Sequence, residues 1–157
     1  MNPPSAFPHS PIHWPALLAR VLVAATLIVS GALKASAPAE EFSVVLESYN
    51  ILPQGMSLTL AVFLPWVELI VGWSLLLGYF TRQAAAAACA MSLAFLGALL
   101  STKARGINLP NCGCFGGTLH PTPSAAMAID FALAALSVIA WRKAPAGPSL
   151  DDWTQTE

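Results

Sequence analysis

The sequence predicts an all-α membrane protein, a polytopic four-helix transmembrane bundle with a short interfacial helix in the first outer loop. Of its 157 residues, 56% are hydrophobic and 10% are charged, and the mean hydropathy is +0.65. Soluble domains carry about 25% charged residues, so this composition excludes an ordinary soluble domain. It also excludes a disordered chain, which needs low hydrophobicity and high charge. The net charge of −1 provides no basic field for nucleic acid.

Four long apolar segments carry this prediction. A bilayer core of about 30 Å requires roughly 20 mostly apolar residues when the chain crosses it as a helix. The strands of a β-barrel would instead show short segments of alternating hydrophobicity. We predict spans at about residues 15–33, 57–78, 83–101 and 124–141. These spans form one domain, residues 15–143, between tails at 1–14 and 144–157 that we predict to be disordered.

The connections between the spans predict the topology and the short helix. Residues 79–82 are a tight turn, so spans two and three form an antiparallel hairpin and the two long connections share one side. In the first long connection, Pro38 suits the first turn of a helix. It is followed by apolar residues at i, i+3, i+4 and i+7, namely Phe42, Val45, Leu46 and Tyr49. This pattern predicts a short amphipathic helix, either at the membrane interface or packed on the bundle.

The basic residues near the spans indicate an orientation. Four lie on the face that holds both termini and three on the face of the long loops, which favours cytoplasmic termini under the positive-inside rule. A cleaved signal peptide is the alternative, because Ala35-Ser36-Ala37 resembles a cleavage site. Pro38 would follow the cut directly, and this argues against cleavage.

The second long connection contains Cys112 and Cys114, separated by a single glycine. A disulfide between residues i and i+2 would close a small strained ring, and strain makes such a bond easy to reduce. A structural disulfide gains most by closing a long loop, and this loop is minimal. The spacing therefore favours a catalytic redox pair, with Lys103 and Arg105 upstream to favour a thiolate.

Two other interpretations of these cysteines stay open. Cys112 and Cys114 supply two soft metal ligands and His120 a third, although zinc requires four ligands and no second cysteine pair follows. Alternatively, they are unpaired structural thiols in a tight turn. Cys89 lies among alanines within the third span, and there we favour a plain apolar thiol.

Ionisable residues inside the spans are candidate functional residues because each is costly to place in a membrane. Arg20 in span one and Glu68 in span two differ in depth by about 6 Å, so we expect them to form an ion pair. Asp130 lies toward the outer end of span four, in the layer of Lys34 and the cysteine loop. We expect Asp130 to be a proton acceptor for thiol chemistry or a salt-bridge partner of Lys34 or Arg105.

Several short motifs lie along the chain between about Arg20 and Trp141. They are Arg20, Ser30-Gly31-x-x-Lys34, Tyr49, Leu64-Pro65-x-x-Glu68-x-x-x-Gly72, Arg82, Arg105-Gly106 and Asn111-Cys-Gly-Cys-Phe-Gly116. Together they resemble the DoxX-like membrane proteins and, more specifically, the MauE (methylamine utilisation) branch. The Cys-Gly-Cys-Phe-Gly string is the more specific part of this resemblance.

The resemblance implies a four-helix bundle in the bacterial inner membrane. It also implies a role in maturing methylamine dehydrogenase, by transport of its periplasmic small subunit or by disulfide formation in it. Carried over to this sequence, the functional pair is Cys112 and Cys114. The family polar positions are Arg20, Lys34, Glu68 and Arg105.

These observations predict the partners and leave two rival functions. Expected partners are membrane lipid, a periplasmic client protein with cysteines, and a redox partner that is either a second protein or a quinone in the bilayer. One rival function is a non-catalytic assembly subunit whose loop binds a client or a metal. The other is a small transporter with Glu68 and Arg20 lining its path.

Overall fold

A computed structural model of the chain describes residues 14–53, 55–107, 122–144 and 151. The described residues form five α-helices: α1 (Trp14–Ser36), α2 (Ala39–Ser48), α3 (Met56–Leu77), α4 (Thr81–Ala104) and α5 (Pro123–Arg142). The helices α1, α3, α4 and α5 are each long and apolar enough to cross a membrane. The prediction of an all-α protein with four spans and a short helix after the first is therefore confirmed, and the chain is a multi-pass membrane protein.

The four spans form a closed ring in the order α1, α3, α4, α5. Each packs against its two neighbours in that order, with α5 returning to α1, and α2 packs mainly against α3. The C-terminal ends of α1 and α4 and the N-terminal ends of α3 and α5 lie at the same end of the bundle as α2. We call this end the α2 side and the opposite end, which holds the connection between α3 and α4, the turn side.

The connection between α3 and α4 is held by backbone geometry and by a distant carboxylate. Gly78 has a φ of 71°, a left-handed conformation that suits glycine after a helix. The carboxylate of Asp151 accepts hydrogen bonds from the backbone N–H groups of Phe80 (2.7 Å) and Thr81 (2.8 Å). Because the first N–H groups of a helix have no partner within the helix, Asp151 caps the start of α4.

The helix α2 packs on the bundle with the face predicted from its spacing. Phe42, Leu46 and Tyr49 are buried, and the Oγ of Ser57 at the start of α3 donates a hydrogen bond to Oε1 of Glu47 (2.7 Å). The predicted amphipathic helix is therefore confirmed. Its contacts with α3 match the interpretation of a helix packed on the bundle.

The outer face of α3 carries a row of large exposed apolar side chains. Trp66, Ile70, Trp73 and Leu77 follow one another at helical spacing and are all exposed. An outward-facing apolar row of this kind suits contact with lipid chains. The four candidate spans thus imply lipid contact for the chain.

Two glycines bring α1 and α3 unusually close together. A Cβ atom at Gly31 would lie 2.8 Å from the backbone oxygen of Pro65 and 3.1 Å from Cβ of Glu68. A Cβ atom at Gly72 would lie 2.8 Å from Cγ1 of Ile28 and 3.2 Å from the backbone oxygen of Ala24. Small residues at such positions allow membrane helices to approach closely. The two contacts also fix how far α1 is shifted along α3.

We expect Gly31→Ala to destabilise the bundle by about 1–3 kcal/mol, because the added methyl group overpacks against the backbone of α3. The matched control is Gly97→Ala in α4, where an added Cβ has no atom within 4 Å. There the higher helix propensity of alanine should leave the stability unchanged or raise it by about 1 kcal/mol. Thermal unfolding of the purified variants in detergent measures both effects. Equal midpoints for the two variants would contradict the close approach of α1 and α3.

Candidate functional site

The buried ammonium group of Lys34 forms an ion pair with a carboxylate of the neighbouring span. Its Nζ atom lies 2.5 Å from Oε1 of Glu68, and both side chains are almost fully buried. Ser30, one helical turn before Lys34, accepts a hydrogen bond from Nζ (3.0 Å) and donates one to Oε2 of Glu68 (2.9 Å). The three side chains close a hydrogen-bonded ring between α1 and α3. Breaking such a buried pair leaves an uncompensated charge, which is strongly unfavourable.

Two aromatic rings complete the surroundings of the ammonium group. Lys34 Nζ lies 5.2 Å from the ring centroid of Phe42 in α2 and 5.0 Å from that of Phe95 in α4. Both distances are within the range of a cation–π interaction. The electron-rich faces of the rings thus help to stabilise a cation that has left water.

Asp130 in α5 lies across a small cavity from this ion pair. The cavity measures about 30 Å³, and its polar lining residues include Ser30, Lys34, Glu68, Ser92 and Asp130. Asp130 is 6% exposed and interacts electrostatically with both Lys34 and Glu68. The expectation that Asp130 shares a layer with Lys34 is therefore met.

The expected ion pair between Arg20 and Glu68 is wrong, since Glu68 pairs with Lys34. Arg20 lies 14 residues before Lys34, which is about 21 Å along α1. Gly31 faces Pro65 and Glu68, so the antiparallel register places Arg20 opposite the C-terminal end of α3. The depth estimate failed because it was measured from the helix ends, and α3 extends beyond α1 on the α2 side.

Arg105 binds backbone oxygens instead of a carboxylate or a thiolate of the described residues. Its guanidinium donates to the carbonyl oxygens of Asn50 (2.9 Å), Tyr49 (2.5 Å) and Ser101 (3.2 Å). Asp130 forms no ion pair with Arg105 in the described part of the chain. Arg105 therefore ties the end of α4 to the segment that follows α2.

The predicted catalytic pair, Cys112 and Cys114, lies outside the described residues, as does His120. The last and first described residues around that segment, Ile107 and Thr122, lie on the α2 side. Gly106, Ile107, Pro123 and Ser124 line one surface groove there. Cys89 is a half-buried free thiol in α4. Within residues 14–53, 55–107, 122–144 and 151, no group of three or more metal-ligating side chains is placed to hold an ion.

The charged residues alone did not identify Ser30, Ser92 or Phe95 as parts of the site, although Ser30 belongs to the Ser30-Gly31-x-x-Lys34 motif. Ser30 carried a usable signal, because it lies four residues before Lys34 and so on the same helix face. Ser92 and Phe95 carried none, since a serine and a phenylalanine are ordinary in a span. Their roles depend on which face of α4 turns inward.

We expect Lys34→Met to destabilise the protein by about 3–5 kcal/mol, because it leaves the buried carboxylate of Glu68 without its cation. The double variant Lys34→Met/Glu68→Leu should recover much of this loss, since it removes the ion pair as a unit. Thermal unfolding in detergent measures both variants, with Lys103→Met on an exposed residue as the control. A double variant no more stable than Lys34→Met would argue against the pair as a stabilising unit.

The chain is similar to known proteins over the region that contains this site. The family model described as "Methylamine utilisation protein MauE" matches residues 12–142. The curated "Methylamine utilization protein MauE" of Paracoccus denitrificans is 37% identical over 91 residues, which cover 58% of this chain and 49% of that protein. The match thus spans about half of that relative, and no solved structure matches the chain. The family match covers all four spans and the buried residues Lys34, Glu68 and Asp130 between them. The chain belongs to the MauE family of methylamine utilisation proteins.

Proposed function

We propose that this protein takes part in thiol–disulfide exchange at the outer face of the bacterial inner membrane. Its client is a periplasmic protein of the methylamine dehydrogenase small-subunit type, in which it assists disulfide formation. The observation that carries the proposal is the Cys112-Gly113-Cys114 sequence within the connection between α4 and α5. Membership of the MauE family supports it, because that family is described by methylamine utilisation.

The proposed exchange has two steps. A client thiolate attacks one sulfur of the Cys112–Cys114 disulfide, forming a mixed disulfide and releasing the other cysteine as a thiolate. The second client thiolate then attacks the mixed disulfide. The client gains a disulfide, and Cys112 and Cys114 leave the cycle as thiols carrying two electrons and two protons. Reoxidation needs an acceptor outside the chain, which is a second protein or a quinone in the bilayer.

The placement of the connection between α4 and α5 supports this chemistry. Disulfides form in oxidising compartments such as the periplasm. The described residues at both ends of the connection lie on the α2 side. Among described residues near the spans, exposed basic side chains on the turn side are Arg82, Arg142 and Lys143, against Lys103 and Arg105 on the α2 side. The excess on the turn side favours a periplasmic α2 side and cytoplasmic termini.

We expect Cys112→Ser and Cys114→Ser each to abolish maturation of the client, because exchange requires both thiols. One of the two variants should trap a mixed disulfide that disappears on reduction, as seen by non-reducing electrophoresis. The matched control is Cys89→Ala, which should retain full function. If the Cys112→Ser/Cys114→Ser protein still supports maturation, the exchange proposal fails and a non-catalytic assembly subunit replaces it.

We expect a reporter fused after Glu157 to be active only if it functions in the cytoplasm. Introduced cysteines test the same orientation, and the exposed residues Arg82 and Lys103 provide one site on each side. In intact cells of a Cys89→Ala/Cys112→Ser/Cys114→Ser protein, a membrane-impermeant thiol reagent should label Lys103→Cys and leave Arg82→Cys unlabelled. The opposite labelling pattern would reverse the proposed orientation.

A further inference from the structure

The charges around the cavity between the spans do not balance. Lys34 from α1 supplies one positive charge, whereas Glu68 from α3 and Asp130 from α5 supply two carboxylates. The residues of α4 that line the cavity, Met91, Ser92 and Phe95, are not ionisable. With every group ionised, the cavity would hold one uncompensated negative charge inside the membrane, which is strongly unfavourable.

The excess charge falls on Asp130. Glu68 has Lys34 and Ser30 on its two oxygens, at 2.5 and 2.9 Å. Asp130 is buried, and its Oδ2 atom has no hydrogen-bond partner in the described part of the chain. A buried, unpaired carboxylate is much less stable than a buried carboxylic acid.

The cavity beside Asp130 has room for solvent. A space of about 30 Å³ is large enough for one or two water molecules. Lys34 uses two of its three N–H donors on Ser30 and Glu68, and the hydroxyl of Ser92 also lines the space. A polar cavity with such groups meets the requirement that a buried water find two to four partners.

We propose that this cavity is a proton-binding site, in which Asp130 takes up one proton from solvent and holds it as a neutral carboxylic acid beside the ionised Lys34–Glu68 pair. A metal cation is disfavoured in the same place because it would lie against the ammonium group of Lys34. The site lies about 10 Å inside the start of α5, seven residues after Pro123. It goes beyond thiol exchange and does not depend on Cys112 or Cys114.

The number of protons held in the cavity depends on its charged groups, so single substitutions change that number in a defined way. The number of protons held equals the number of carboxylates minus the number of ammonium groups, so the native protein holds one. Asp130→Asn holds none. Glu68→Gln also holds none, because the ionised Asp130 then becomes the counterion of Lys34. Lys34→Met holds two.

Infrared difference spectra between the native protein and each variant count these protons directly, since a carboxylic acid has a carbonyl stretching band that a carboxylate lacks. The full chain in lipid nanodiscs at neutral pH should show one such band, shifted by isotope labelling of aspartate. The band should be absent in Asp130→Asn and in Glu68→Gln, and it should persist in the exposed-site control Glu40→Gln. It should also persist in Cys112→Ser/Cys114→Ser, which separates this test from the exchange proposal.

Three results would overturn the proposal. The first is the absence of the band from the native protein. The second is a band that survives Asp130→Asn, and the third is a band that persists in Glu68→Gln. The native protein is also measured in two buffers, one with choline chloride and one with sodium chloride. Loss of the band in sodium chloride alone would show a metal-cation site in place of the proton site and would also overturn the proposal. Should Lys34→Met fail to fold, the Asp130→Asn and Glu68→Gln variants still decide the question.

Discussion

The ion pair between Lys34 and Glu68 is the constraint on which the arrangement of the helices depends. A lysine and a glutamate buried between membrane spans must stay together, because separating them leaves a bare charge in an apolar medium. The ammonium group of Lys34 contacts groups from α1, α2, α3 and α4, and it interacts electrostatically with Asp130 of α5 through the same cavity. All five helices therefore meet at one cation.

The pairing requires that α1 and α3 lie close together at a fixed register. Gly31 provides this next to the ion pair, since a side chain there would clash with the backbone of Pro65. Gly72 provides it further toward the turn side, against Ala24 and Ile28. A Lys–Glu pair in the membrane stabilises the bundle most when the packing of its two helices holds the paired atoms in a fixed geometry. The two glycine contacts supply that rigidity through backbone packing alone.

The spans and α2 could be predicted from the sequence because each depends on local composition. Hydropathy identifies a span, and the spacing of Phe42, Leu46 and Tyr49 identifies the buried face of α2. The shared layer of Lys34 and Asp130 could also be predicted from the sequence, since both residues lie toward helix ends on the same side. The partner of Glu68 could not be predicted, because it depends on the shift between α1 and α3. That shift follows from how two glycines pack, and no property of a single helix reveals it.

The separation of Lys34 from Glu68 along the chain has a consequence for biogenesis. The two residues are 34 positions apart in the chain, so during synthesis α1 reaches the membrane before α3, which carries the counterion of its lysine. A lysine at the centre of a span costs about 2.5–3.5 kcal/mol to insert. Lys34 lies two residues from the end of α1, where a long side chain reaches the aqueous interface and avoids most of that cost. The nascent α1 can therefore wait with its ammonium group in water, which it leaves only when α3 arrives beside it.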